Sequence, residues 1–219
     1  MDFFSGAGRS EKGNDRSRKY ELDYELRPGS TETRKSESYI YTGDYYSFNL
    51  EGTSLTFGKV RLLYLIMSVL QMAAVLGAGL VSSAMNEYMW TALPYCGMVL
   101  SAGLAVMGAM ELVGCKEEFV RRVNDKGATR FHIAQMVLAA SSVVLLVAEL
   151  VYIILSAAGR NGANLLFLAL TLALTLSSAF MVRFTQRHKP VVVRSGEEEF
   201  KELQKKFAEE SKADFKDEL

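Results

Sequence analysis

Apolar residues gather in four long runs, and the polar residues gather outside them. The runs are "LLYLIMSVLQMAAVLGAGLVSSA" at about 62–84 and "WTALPYCGMVLSAGLAVMGAMELVG" at about 90–114. Two more follow, "FHIAQMVLAASSVVLLVAELVYIIL" at about 131–155 and "ANLLFLALTLALTLSSAFMVRF" at about 163–184. A bilayer takes about 20 helical residues to cross, and each run suffices. Each is apolar all round, unlike the one-sided stripe of a surface helix. The expected fold is all-α: a four-transmembrane-helix up-down bundle occupying residues 59–187. Short connections, MNEYM and AAGRNGAN, make the first and second spans antiparallel, and likewise the third and fourth. The middle connection, CKEEFVRRVNDKGATR, is longer and charged, and is read as a loop.

Outside the spans the period changes. Residues 1–19 are rich in Gly, Ser and charge and are expected to be disordered. Residues 20–58 are β-prone. "YELDYEL" alternates apolar and polar, "SYIYT" and "YYSFNL" flank a Gly43-Asp44 hairpin turn, and "TSLTF" is a further candidate strand. So small a meander buries too little to stand alone and needs a docking surface. Residues 195–219 form an amphipathic helix, with Ser195 and Glu198 as a capping box and Glu197–Lys201 as an i,i+4 pair. Phe200, Leu203, Phe207 and Phe215 lie on one face, expected to bind a protein partner. This tail holds five Lys and nine acidic residues. An anionic lipid surface would repel it, so its aromatic face is expected to meet protein.

Charge then gives direction. Lys59, Arg61, Lys116, Arg121, Arg122, Lys126, Arg130, Arg183, Arg187, Lys189 and Arg194 fall on one side of the spans, and Arg160 alone on the other. Basic residues mark the cytoplasmic side, so both termini and the middle loop are expected there. The protein should be an integral, multi-pass membrane protein, of the plasma membrane if the chain is bacterial. The start, MDFFSGAGRSEKG, lacks the basic-then-apolar form of a signal peptide. The chain ends KDEL, a retention address read in the lumen of the endoplasmic reticulum. A cytoplasmic C-terminus makes those residues the last turn of the acidic helix and not an address.

Candidate chemistry is sparse. Cys96 and Cys115 sit on one helix, about 28 Å apart, too far for a disulfide. No Cys/His spacing for zinc, no HExxH and no nucleotide-binding motif occurs. Neither a cofactor nor a nucleic-acid partner is expected, and net charge is zero. Glu149 is the one acid deep in a span, about 25 Å above His132. An intramembrane carboxyl is a functional-site hypothesis, with register-fixing hydrogen bonding as the structural alternative. Tyr95 and Thr171 are its candidate partners, Tyr95 at a similar height. Glu111, His132 and Arg130 are expected to form a polar cluster at the inner boundary. Small-residue stripes (Gly97, Ser101, Ala105 and Ala109; Ala73 and Gly77; Ala169, Ala173 and Ser177) are expected to fit the helices together.

The expected function is that of a non-enzymatic scaffold or accessory subunit. It would sit in the lipid bilayer and engage a protein partner, or a second copy, through its cytoplasmic tails. A small proton- or ion-coupled transporter using Glu149 is the alternative.

Overall fold

The computed structural model describes residues 20, 23–26, 39–50, 52–81, 83, 88–156 and 161–217, with side chains of the last helix described as far as Glu209. Residues 1–19 and the final Glu218-Leu219 lie outside the described residues, so the readings made for them are not addressed. Three short strands come first, β1 (Tyr24–Leu26), β2 (Tyr39–Tyr41) and β3 (Asp44–Phe48). Then come α1 (Phe57–Leu80), α2 (Met89–Val113), β4 (Phe119–Val120), α3 (Arg130–Leu155), α4 (Gly162–Arg187), β5 (Pro190–Ser195) and α5 (Gly196–Asp217). The fold is mostly helical, and α1 to α4 are each long and apolar enough to cross a membrane.

Two boundaries move from the sequence reading. Helix α1 starts at Phe57 and not near 62, because Thr56 is extended and Phe57 is already buried beside Phe48 and Phe119. It stops at Leu80 and not near 84, where Val81 turns extended. The charged middle connection is mostly helical rather than a loop. Arg121–Val123 makes one turn, and Asn124–Thr129 is wound as a π-helix that runs into α3. The wider winding brings Gly127 and Ala128 into the protein. A Cβ on Gly127 would meet Leu112 at 2.9 Å, so only glycine fits that approach.

Contacts divide the chain into two compact units. The larger, Tyr46–Val191, holds the four long helices. Helix α1 packs on α2 and α4, and α3 packs on the same two, so α1 and α3 are diagonal. Buried positions recur every three or four residues. In α4 they are Asn164, Phe167, Thr171, Leu174, Ser178, Met181 and Thr185; in α3, Gln135, Leu138, Ser142, Leu145 and Glu149 continue the same spacing. That is the 3.5-residue seam of a left-handed bundle. Large apolar side chains such as Leu62, Leu70, Leu80, Leu100, Val144 and Leu176 are exposed. Interior positions hold Gln, Ser, Thr, Asn and Glu beside the apolar core. An oily exterior around a more polar interior reverses the soluble pattern and suits lipid.

Of the small-residue stripes, the one on α2 is interior. Ser101, Ala105 and Ala109 are buried, and Gly97 lies so close to α3 that a Cβ would come within 2.9 Å of Ser141 Oγ. The other two are corrected. Ala73, Ala169 and Ala173 are exposed, and a Cβ on Gly77 would meet nothing within 4 Å. On α1 and α4 the core is made at other positions, small ones such as Ser68, Ala78 and Ser178 included, and of these stripes Ser177 alone reaches inward, to Gln71.

The smaller unit joins the described residues before Tyr46 to those from Val192 onward. Strands β1 and β2 pair antiparallel, Tyr24 opposite Tyr41 and Leu26 opposite Tyr39. Gly196 N donates to Gly43 O at 2.9 Å, and the Arg194 guanidinium stacks 4.1 Å from the Tyr45 ring centre. Here too glycine is required, since a Cβ on Gly196 would sit 2.6 Å from Tyr41 O. The β-prone segment thus finds its support in the C-terminal segment. The expected Gly43-Asp44 hairpin is not formed: β2 pairs with β1, whereas β3 lies between β4 and β5 in a second sheet. "TSLTF" makes no strand, since Phe57 opens α1. The boundary between units falls within β3 and within β5.

Candidate functional site

The bundle interior carries polar groups at three levels. Near the tops of α1 and α4, Ser83 Oγ donates to Asn164 Oδ1 at 2.8 Å. Asn164 N donates to Asn161 Oδ1 at 2.8 Å, which caps the first turn of α4. At mid-height, Gln71 of α1 and Gln135 of α3 exchange two amide hydrogen bonds across the bundle diagonal, at 3.1 and 2.7 Å. Gln71 Nε2 also reaches Ser177 Oγ of α4 at 3.4 Å. Both amides are buried. At the lower end His132 Nδ1 lies 2.6 Å from Thr185 Oγ1, linking α3 to α4.

Glu149 is the exception to this satisfied pattern. It is fully buried on α3, and neither carboxyl oxygen has a hydrogen-bond partner. An unpaired buried charge costs several kcal/mol, roughly 2.5–3.5 for an acid near the centre of an inserted helix.

The partners expected for it are engaged elsewhere. Tyr95 Oη donates to Val75 O at 2.9 Å, and Thr171 Oγ1 donates to Phe167 O at 2.9 Å. Height explains Tyr95. The Tyr88 and Tyr152 rings meet at 6.0 Å and Gly97 sits over Ser141, which fixes the register of α2 on α3. On that register Glu149 is level with Met89–Thr91, and Tyr95 lies about 8 Å deeper. Thr171 spends its donor on its own helix, as hydroxyls inside helices do. A register-fixing hydrogen bond from Glu149 is therefore not made.

Beside Tyr95 lies a cavity of about 250 Å³ lined by Gly79, Thr91, Ala92, Tyr95, Cys96, Leu145 and Phe167. Leu145 is one helical turn from Glu149 on the same buried face.

The inner-boundary cluster is not assembled either. Glu111 is exposed, His132 pairs with Thr185 instead, and Arg130 forms no hydrogen bond or ion pair with any described residue. That end of the bundle is organised by aromatic rings and by Arg61. Phe48 contacts Phe57, Tyr64 and Phe119, and Tyr64 packs at a tilt on Phe131 with ring centres 4.4 Å apart. Arg61 Nη1 donates to Val113 O at 2.9 Å and to Cys115 O, closing the C-terminal end of α2. The Cys115 thiol donates to Glu111 O at 2.9 Å. Burial pushes its pKa up, with the neighbouring Arg61 pulling the other way.

Nothing in the sequence pairs Gln71 with Gln135. The two sit 64 residues apart, and no local pattern joins them. Their signal was available only as two amides on the interior seams of α1 and α3. Likewise Arg61 reads in the sequence as one of the basic residues flanking the spans, and in the fold it holds the end of another helix.

On α5, Phe200 is buried, Leu203 is half-buried and Phe207 is 46% exposed. The Phe215 side chain lies outside the described residues. Lys201 Nζ pairs with Glu197 Oε1 at 2.7 Å, as the i,i+4 spacing implied.

No known protein family, curated protein or solved structure matches this chain. Among the described residues no group of three or more His, Cys, Asp or Glu side chains could hold a metal ion.

Proposed function

We propose that this chain is a non-enzymatic membrane scaffold or accessory subunit. Four helices anchor it in the bilayer, with both termini and the middle connection on the cytoplasmic side. The unit built from both tails is its working surface. One observation carries this reading: segments separated by the whole helical bundle, residues before Tyr46 and residues after Val191, form one compact unit. Tails that served only as tethers would have no reason to be stitched through Gly196, Gly43, Arg194 and Tyr45. Helix α5 leaves Phe207 exposed on its apolar side, in a tail that holds five Lys and nine acidic residues. A basic, apolar protein surface is the complementary partner. The test is affinity purification of the full chain in mild detergent, with Phe207→Glu alongside. A partner retained by the parent and lost by the variant supports the reading. Monomer alone in both removes it.

Glu149 favours a second reading, a small proton- or cation-coupled carrier. Its buried, unpartnered carboxyl is the observation behind it. Proton-linked flux in liposomes, parent against Glu149→Gln, separates the two. Flux in the parent that the variant loses would favour the carrier, and no flux in either would remove it.

A further inference from the structure

We propose that the groove between the inner halves of α2 and α3 is a phospholipid site. One acyl chain lies in the groove, and the phosphate sits on Arg130. This inference rests on the membrane reading of the bundle and on neither reading of its function.

The groove has a volume of about 380 Å³. Gly97 and Ser101 form part of its lining, and these small residues leave room beside the α2–α3 seam. Leu104, Ile133 and Val137 supply apolar walls, and all three are about half exposed on the outside of the bundle. From Arg130 to Val137 the groove climbs seven residues, about 10 Å. That is about a third of a 30 Å hydrocarbon core.

Charge appears only at the lower mouth, where Arg130 and Asp125 line the same opening. Asp125 already has a partner, whereas Arg130 has no hydrogen bond or ion pair among the described residues. A guanidinium held at the boundary of an apolar slot calls for an anion that offers two acceptor oxygens side by side, and a phosphodiester is one. Basic pockets between membrane helices bind lipid head groups in this way. A soluble anion would leave the apolar walls unused. A protein helix would need a wider face than a slot lined by single rows of side chains.

The chain in mild detergent is titrated with phosphatidylglycerol and followed by native mass spectrometry. The variants are Arg130→Gln, which removes the phosphate donor, and Val137→Trp, which fills the slot from its outer side. Val137 is exposed, so that variant should keep the parent's melting temperature. Both should hold the first lipid about tenfold more weakly than the parent, the loss expected for one charged hydrogen bond. Inorganic phosphate in excess should not displace the lipid. Unchanged lipid retention in either variant overturns the proposal, as does displacement by inorganic phosphate. A parent that is dimeric and becomes monomeric on Val137→Trp also overturns it, since the groove would then be an interface between copies.

Discussion

Gln71 and Gln135 face each other across the diagonal of the bundle as a reciprocal amide pair, each donating to the other's carbonyl oxygen, at 3.1 and 2.7 Å. They join two helices that also meet where Tyr64 packs on Phe131, and both amide side chains are buried. Replacing one leaves the other amide unsatisfied inside the bundle. Gln71→Leu or Gln135→Leu alone should cost about 1–3 kcal/mol. The double variant should recover part of that loss, because no orphan remains. Reversible unfolding in detergent, run as a double-mutant cycle, should give a coupling of about 0.6–1.7 kcal/mol. Additive losses would show that the amides do not act as a pair.

Gly108 and Gly77 should respond in opposite ways. A Cβ on Gly108 would lie 3.0 Å from Gly127 O and 3.1 Å from Phe131 N, both backbone atoms that cannot step aside. Gly108→Ala should push α2 from α3 and cost about 1–3 kcal/mol. Gly77→Ala meets nothing within 4 Å and should leave the melting temperature unchanged or raised. Equal effects would place both glycines on the same kind of surface.

Arg61 should matter more than an exposed charge does. Its guanidinium closes the last carbonyls of α2 and stacks 4.8 Å from the Phe57 ring centre. Arg61→Ala should cost about 1.5–3 kcal/mol, the scale of a charged hydrogen bond. Arg61→Lys should recover only part, since an ammonium cannot lie flat over the Phe57 ring as the guanidinium does. A loss below about 0.5 kcal/mol in Arg61→Ala would mean that water replaces it.

Cys115 should alkylate slowly at neutral pH. Burial raises its pKa, so less thiolate is present at pH 7 than for a free thiol. With the pKa raised, the rate should keep climbing with pH beyond the point at which a small free thiol levels off. Maleimide labelling of Cys96→Ala between pH 7 and 10, beside a model thiol, reads this directly. A rate at pH 7 equal to that of the model thiol would contradict it.

Sidedness has its own test. Eleven of the twelve basic residues flanking the spans lie on one side. A protease given access only to the cytoplasmic face should remove a tag placed after Leu219. Protection of that tag would turn the bundle over and return the terminal KDEL to the lumen.

What the chain determines by itself is the number of long helices, their approximate limits and their chain direction. Lipid-length apolar runs carry that information locally, in composition alone. The exposed Glu197–Lys201 pair was legible for the same reason, as its partners are four residues apart. The charged stretch before α3 was not. Its residues read as a loop, and it is wound as a helix because Gly127 and Ala128 find a close fit beside Leu112 and Gly108.

The site residues divide along the same line. Glu149 is singled out by sequence, because an acid in an oily run is costly wherever the run folds. Whether it has a partner is a matter of register, and the seating of Gly97 on Ser141 sets Tyr95 too deep to reach it. Gln71 with Gln135, Arg61 with the end of α2, and Gly196 with Gly43 are long-range pairs. Periodicity assigns each residue a face, but only packing chooses which face it meets. Tertiary structure alone decided those pairs, since each depends on helix order, height and a close approach that no single segment encodes.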